Sequence, residues 1–112
     1  MKYMIAIIRP EKLEKVRQAL KKVGCSGLMV SEIEGHGKQK GIVQQWRGEK
    51  FQLEMIPKIK LEIMVMDEDL DTIKKAITDN ARTGEIGDGK IFVVDLANAI
   101  RIRTGEEGEI AL

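Results

Sequence analysis

The sequence predicts an α+β domain of the ferredoxin-like kind, a double strand-helix-strand sandwich in which both helices cover one face of a sheet. Three observations favour it. An apolar stripe of helical period occurs twice, each stripe lies between strand-like runs, and a long polar segment separates the two halves. A chain of 112 residues has the length of one domain, residues 1–112.

The first half of the chain reads as strand, helix and strand. Residues 3–8 form a short apolar run, hydrophobic on both faces, which suits a central strand. Pro10 and Glu11 are typical of a first helical turn, and Gly24 stands where a left-handed cap would end the helix. The stripe between them consists of Leu13, Val16, Leu20 and Val23. Residues 28–34 predict the second strand.

The second half of the chain repeats this order. Residues 58–66 alternate strictly, which predicts a strand with one apolar face. That face carries Ile59, Leu61, Ile63 and Val65, and the other carries Lys58, Lys60, Glu62, Met64 and Met66. Asp67 is predicted to cap a second helix, whose stripe is Leu70, Ile73, Ala76, Ile77 and Ala81. Residues 91–96 predict the last strand, before a short helical or irregular turn and a polar tail.

The sheet face away from the helices also carries apolar side chains in this arrangement. An exposed apolar patch of that size favours burial between subunits, so a homo-oligomer is expected.

Composition narrows the classes of function. With 19 basic and 18 acidic residues the net charge is +1, so no long-range field steers the chain toward nucleic acid or an anionic membrane. The single cysteine, Cys25, forms no intramolecular disulfide, which predicts a cytoplasmic protein. The opening ten residues contain too few apolar positions for a secretion signal or membrane span. With His36 as the sole histidine, a structural zinc site is not expected.

The sharpest local motif is RTGEIGDGKIF, residues 82–92. Its three glycines allow left-handed backbone angles that point several N–H groups at one spot, as phosphate-binding loops do, and Lys90 adds a positive charge. Gly84 to Lys90 fits much of the Walker pattern, but Ile91 replaces the Ser or Thr that holds magnesium, and a strand follows instead of a helix. A P-loop NTPase is therefore disfavoured, while a plain glycine-rich turn stays open.

A second cationic motif is RIR near the end of the chain. If this segment is extended, Arg101 and Arg103 lie on one face and their guanidinium groups are spaced to hold a polyphosphate. Without the glycine-rich loop, these two arginines would be interpreted as a solvated surface pair. Together with Lys90 and the glycine-rich loop they favour a triphosphate site.

The long polar segment, residues 35–57, has no sustained period, which is typical of a functional or disordered loop. Gln39 offers an amide oxygen to a nucleotide-bound magnesium, and Lys58 offers a charge to a carboxylate ligand, although such a lysine is more often only solvated. The sequence contains no recognisable catalytic triad or paired catalytic carboxylates, which predicts a protein that is not an enzyme.

The combination resembles a known family, the PII signal-transduction proteins of nitrogen regulation, in the GlnK and GlnB branch. TGEIGDGKIFV at residues 83–93 matches the nucleotide-loop signature of that family. The resemblance also covers IIRPEKL, GHGKQKG, PKIKLE and IRIRTGE, and so spans essentially the whole chain.

The resemblance implies a homotrimer with three sites, in the clefts between subunits, for which ATP and ADP compete. It implies a nucleotide site formed by Gly27, Leu28, Met29, Gly35, Gly37, Lys38, Gln39, Met64, Gly87, Asp88, Gly89, Lys90, Arg101 and Arg103. Gln39 would hold Mg²⁺ with ATP, and 2-oxoglutarate would bind at Gln39, Lys40, Gly41 and Lys58. Met29 departs from the Thr that is usual in the family near the adenine.

By the same resemblance, residues 37–55 are the T-loop, residues 82–90 the nucleotide loop and residues 101–112 the C-terminal loop. The T-loop would dock on an Amt-type ammonium channel through Trp46, Arg47, Gly48 and Phe51, with Arg47 entering the pore; glutamine synthetase or nitrogenase components are alternative targets. Membrane contact would occur only through the channel. Phe51 stands where many members have a uridylylated Tyr, so that modification is excluded.

Two readings from other classes stay open at this point. An enzyme that uses ATP would also employ a glycine-rich loop with cations, but the sequence offers it no evident base. A ferredoxin-like RNA-binding module would need stacking aromatics, and aromatic residues are 4% of this chain.

Overall fold

The computed structural model describes residues 1–25, 27–35 and 56–112, and it describes the backbone of two further short strands. The strands are β1 (Lys2–Ile8), β2 (Leu28–Gly35), β3 (Val43–Trp46), β4 (Glu49–Gln52), β5 (Ile56–Val65) and β6 (Lys90–Asp95). The helices are α1 (Leu13–Lys22) and α2 (Leu70–Ala81), with short 3₁₀ turns at Pro10–Lys12, Asp67–Asp69 and Gly108–Ala111.

The main sheet has the strand order β2-β5-β1-β6, and every neighbouring pair in it is antiparallel. Helices α1 and α2 pack against each other over one face of this sheet. The predicted α+β, ferredoxin-like arrangement of two strand-helix-strand units is therefore confirmed.

The buried core residues recur with the strand period and the helix period that the sequence predicted. Side chains at alternate positions of β1 and β5 are buried, and so are positions one turn apart on each helix. These residues are Met4, Ala6, Ile8, Ile59, Leu61, Ile63 and Val65 from the strands, with Val16, Leu20, Ile73, Ile77 and Ala81 from the helices. Gly24 ends α1 with a φ of 81°, which confirms the predicted left-handed cap.

The opposite face of the sheet is apolar and open in the single chain. The register pairs Ile5 with Phe92 and Tyr3 with Val94, which puts these side chains on the face away from the core residue Met4. Phe92 is 49% exposed and Val94 is 50% exposed. An apolar second face is thus present as predicted.

Three local expectations differ from the structure. Asp67 does not cap α2: it lies in the 3₁₀ turn, and its carboxylate accepts a hydrogen bond from the amino group of Met1 at 2.8 Å. The polar segment after Gly35 contains an antiparallel hairpin, β3 with β4. Residues 101–104 are not extended, because the Gly105 N–H closes a turn on the Arg101 carbonyl at 2.7 Å.

Candidate functional site

The glycine-rich loop, residues 82–89, joins α2 to β6. Gly84, Gly87 and Gly89 have φ angles of 91°, 103° and 99°, so all three adopt the left-handed conformations that the motif predicted. The strand β6 begins at Lys90, so the loop leads into a strand and not into a helix, as the failed Walker pattern indicated.

Asp88 holds the first half of this loop together. Its carboxylate accepts hydrogen bonds from the N–H groups of Thr83 at 2.9 Å and Gly84 at 2.8 Å, and from the Thr83 hydroxyl. The Thr83 hydroxyl hydrogen bond, followed by these N–H groups and Arg9, holds the pKa of Asp88 well below its usual range, although desolvation opposes the shift. The loop therefore already encloses one internal anion.

Two cations from neighbouring strands brace the second half. Arg9, just past the end of β1, donates to Asp88 Oδ1 from Nε at 3.0 Å and to the Ile86 carbonyl from Nη2 at 2.9 Å. Lys58 on β5 donates to the Gly87 carbonyl. Burial lowers the pKa of Lys58, and the neighbouring Arg9 lowers it further, while Glu11 and Asp88 act in the opposite direction. Arg9 and Lys58 thus fix the loop to the sheet.

The remaining N–H groups of the loop form a continuous row in the sequence, at residues 86–89. Within the part of the chain that the structure describes, the amides of residues 86–89 donate to no other group. Arg9 and Lys58 lie at this row, and exposed Lys90 follows it directly in the chain. Successive free N–H groups beside cations are what a phosphate needs, so the residues present fit a nucleotide phosphate.

Position 89 requires glycine for a structural reason that the sequence did not reveal. A Cβ built on it would lie 1.7 Å from the carbonyl oxygen of Ile7 and 2.7 Å from the carbonyl carbon, in the backbone of β1. The loop can approach β1 this closely only because residue 89 has no side chain. Gly84 differs, since nothing lies within 4 Å of the position its Cβ would take.

Residues predicted to contact the adenine lie elsewhere. Gly27 and Met64 line a cavity of about 340 Å³ together with Cys25, Asp69 and Leu112. Met29 is 51% exposed on β2, opposite Glu62, and Leu28 packs against the core. This cavity is lined by the segment between α1 and β2, by the end of β5 and by the start of α2.

Arg101 and Arg103 take different positions from those an extended segment would give. The Arg101 guanidinium donates to Glu106 Oε1 from Nη1 and to the Ile110 carbonyl from Nη2, each at 2.8 Å. Arg103 is exposed in the turn. Arg101 is thus attached to the segment that ends at Leu112, a residue that lines the cavity with Gly27 and Met64.

The predicted site is therefore divided within one chain. Lys58, at the glycine-rich loop, and Met64, at the cavity, are six residues apart in β5, which corresponds to about 20 Å of strand. Gly35 lies at the loop end, where it is paired with Ile56 and its Cβ position would be 3.5 Å from Lys58. One chain brings Lys58 and residues 87–90 together at one end, and it places Gly27 and Met64 at the other end.

Several predicted residues lie outside the described part of the chain. They are Gly37, Lys38, Gln39, Lys40, Gly41, Arg47 and Gly48. For Trp46 and Phe51 the backbone alone is described, in β3 and β4. Arg9 was not among the predicted site residues: its one sequence signal is a charged residue directly after a buried central strand.

Comparison with known proteins decides the family. The model of the nitrogen regulatory protein P-II family matches residues 1–106. The chain belongs to the P-II family. A nitrogen regulatory protein P-II 2 of Methanothermobacter thermautotrophicus is 50% identical over 112 residues, covering 100% of this chain and 97% of the relative. The P-II proteins of Pasteurella multocida and the P-II 1 protein of Escherichia coli K12 are each 50% identical over the full length of both chains.

The P-II match covers both halves of the divided site, and the names of these relatives describe regulatory proteins. Among the described residues, neither helix has the length and apolar character to cross a membrane.

The contact between Gly89 and Ile7 can be tested by substitution. Gly89→Ala should destabilise the domain by about 3 kcal/mol or more, because the new methyl group collides with the β1 backbone and the φ angle is strained. Gly84→Ala is the matched control: its φ is also left-handed but its surroundings are open, so about 1 kcal/mol is expected. Urea unfolding at a fixed protein concentration measures both, and equal losses would contradict the close approach.

The ionisation of Asp88 gives a second test. Since its folded pKa is depressed, its stabilising contribution is complete above the unfolded pKa of about 3.9 and is lost progressively as the pH falls from there through the lower folded value. The carboxyl carbon of Asp88 should therefore show no NMR titration between pH 7 and about pH 3. Thr83→Ala should move the titration upward, whereas Thr104→Ala, whose hydroxyl contacts Glu106, should not. Titration of wild-type Asp88 near pH 4 would refute the network.

Proposed function

We propose that this P-II protein is a sensor without enzymatic activity that binds ATP or ADP at the glycine-rich loop and reports the bound state through its T-loop. The observation that carries the proposal is the row of amides at residues 86–89, which donate to no other group among the described residues and lie beside Arg9, Lys58 and Lys90. A nucleotide phosphate supplies both the acceptor oxygens and the negative charge that such a row favours. One of the two carboxylates of this loop, Asp88, is occupied in holding the backbone and is therefore a poor candidate for a general base.

The divided site supports assembly from several copies. The loop end and the cavity end of one chain are separated by about 20 Å of strand, so a compact nucleotide touches both only where two chains meet. Contacts between the loop end of one copy and the cavity end of the next are head-to-tail, and such contacts form a closed ring when the rotation between neighbouring copies closes. The exposed apolar side chains of Phe92 and Val94 give the ring a surface to bury. The proposed assembly is the homotrimer.

Lys58 supports a second ligand, 2-oxoglutarate. Its ammonium group now donates to the neutral carbonyl of Gly87, in a partly buried position. A carboxylate is a stronger partner for an ammonium group than a carbonyl is, so an acidic ligand would draw Lys58 from the loop. We assign Mg²⁺ and part of the same ligand to Gln39, with Lys40 and Gly41, outside the described residues. The metal would add a site for oxygen ligands beside the phosphates.

The T-loop supplies the output in this proposal. Strand β3 ends at Trp46 and β4 begins at Glu49, so Arg47 and Gly48 join the two strands in the sequence. A long cation flanked by aromatic residues is the composition of an interface anchor. The proposed target is an Amt-type ammonium channel in the membrane, approached from the cytoplasm and blocked by Arg47.

Calorimetric titration tests the ligand assignments. ATP and ADP should bind the wild-type protein, and Lys90→Gln should weaken binding about tenfold or more through loss of a charge-assisted hydrogen bond. Lys15→Gln, an exposed lysine on α1, is the control and should have no effect. 2-Oxoglutarate should bind only with Mg²⁺ and ATP present, and Lys58→Gln should remove this binding. Failure of either nucleotide to bind would refute the proposal, whereas absence of 2-oxoglutarate binding would leave an adenine-nucleotide sensor.

Capture of the channel tests the output. Purified Amt-type channel should retain the wild-type protein, and ATP with 2-oxoglutarate should release it. Arg47→Ala should abolish retention, because the pore-blocking cation is lost, while Lys50→Ala in the same segment should keep most of it. Retention that ignores both the ligands and Arg47→Ala would contradict the proposed partner. Retention by glutamine synthetase or a nitrogenase component instead would move the assignment to that target.

A further inference from the structure

Arg101 is already occupied in the free chain. Its guanidinium forms an ion pair with Glu106 at 2.8 Å and donates a second hydrogen bond to the Ile110 carbonyl at 2.8 Å. A guanidinium presents its N–H groups as a fork, and an anion on one arm reduces the charge available to a second anion. The RIR motif and the resemblance to the P-II family assign the same side chain to nucleotide phosphates. Glu106 and a phosphate are therefore rivals for Arg101.

The segment around this pair is built as a small closed unit. The Arg101 N–H donates to the Glu106 carbonyl at 2.8 Å, and the Gly108 N–H donates to the Ala99 carbonyl at 2.9 Å. Ile100 and Glu107 form an isolated antiparallel bridge beside these bonds. The ion pair of Arg101 with Glu106 is thus one of several contacts that fold residues 105–112 back onto residues 98–101.

A phosphate can replace Glu106 as the partner of Arg101 at a small cost in free energy. The Arg101 side chain is 37% exposed and that of Glu106 is 36% exposed, so solvent screens the pair and limits its strength. A phosphate carries more charge than a carboxylate and offers several acceptor oxygens to the same fork. The exchange releases the Glu106 carboxylate to water, where it loses little.

We propose that Glu106 is an affinity-setting residue of the nucleotide site, which neutralises Arg101 while the site is empty and is displaced by phosphate when nucleotide binds. This inference rests on the proposed function, since it requires that Arg101 meets nucleotide phosphates. Displacement also withdraws Arg101 from the Ile110 carbonyl, so residues 105–112 lose two contacts at once. Leu112, at the end of this segment, lines the cavity with Gly27 and Met64, so the base end of the site changes together with the phosphate end.

The test is a comparison of two charge-matched variants by calorimetry with ADP. Glu106→Gln should bind ADP about two- to fivefold tighter than the wild type. Glutamine keeps the shape of glutamate but carries no charge, so it no longer competes with phosphate for Arg101. Glu109→Gln is the control: it removes one negative charge from the same segment, at an exposed side chain that is not paired with Arg101. It should bind ADP as the wild type does.

Hydrogen exchange gives a second readout, which a change in the net charge of the protein would not affect. Peptides covering residues 105–112 should exchange faster when the wild type is saturated with ADP, and in Glu106→Gln they should exchange faster even without ADP. Equal affinities in the wild type and Glu106→Gln, an equal gain in Glu109→Gln, or exchange unaffected by ADP would each overturn the role of Glu106. Absence of ADP binding to the wild type would instead refute the proposed function itself.

Discussion

The hydrogen bonding of Asp88 is the constraint on which the candidate site depends. One carboxylate gathers the N–H groups of Thr83 and Gly84, the Thr83 hydroxyl and the Arg9 side chain, and so converts a glycine-rich connection into a fixed shape. Without this internal anion, the left-handed glycines would leave the loop free to take many conformations. With it, the amides of residues 86–89 form no hydrogen bonds within the loop. The Asp88 anion, which binds the first half of the loop, therefore leaves the amides of the second half available to another anion.

The sheet register explains why this shape stands where it does. Ile8 pairs with Ile59, which brings Arg9 after β1 and Lys58 in β5 to the same edge of the molecule. Ile7 pairs with Lys90, so the loop enters β6 directly beside them. A shift of the β1 register by one residue would turn the core face of the strand outward and would also separate the cations from the loop. Core packing and site geometry are thus fixed by the same pairing.

The sequence predicted the parts of the structure that depend on periodicity and on local backbone chemistry. Alternation predicted the buried face of β5, and glycine spacing predicted the left-handed loop, because each pattern follows from local geometry. The cap assigned to Asp67 was wrong, because a tertiary partner, the Met1 amino group, holds its carboxylate. Arg9 was missed for the same kind of reason, since its partner Asp88 lies far along the chain. The division of the site into two ends likewise becomes visible only when strand lengths and pairings are known.

The cations assigned to ligands share a property that bears on sensing. Arg9 is bonded to Asp88, Lys58 to the Gly87 carbonyl, and Arg101 to Glu106. An anion that binds among them therefore exchanges one partner for another, and the released partner belongs to a different segment of the chain. Release at Lys58 affects the glycine-rich loop, while release at Arg101 affects residues 105–112. At the partly exposed pair of Arg101 with Glu106 this exchange costs little free energy, so the proposed sensor would respond to modest changes in ligand concentration. Such exchange suits a regulator, which must move when it binds, better than a catalyst, which must hold its groups still.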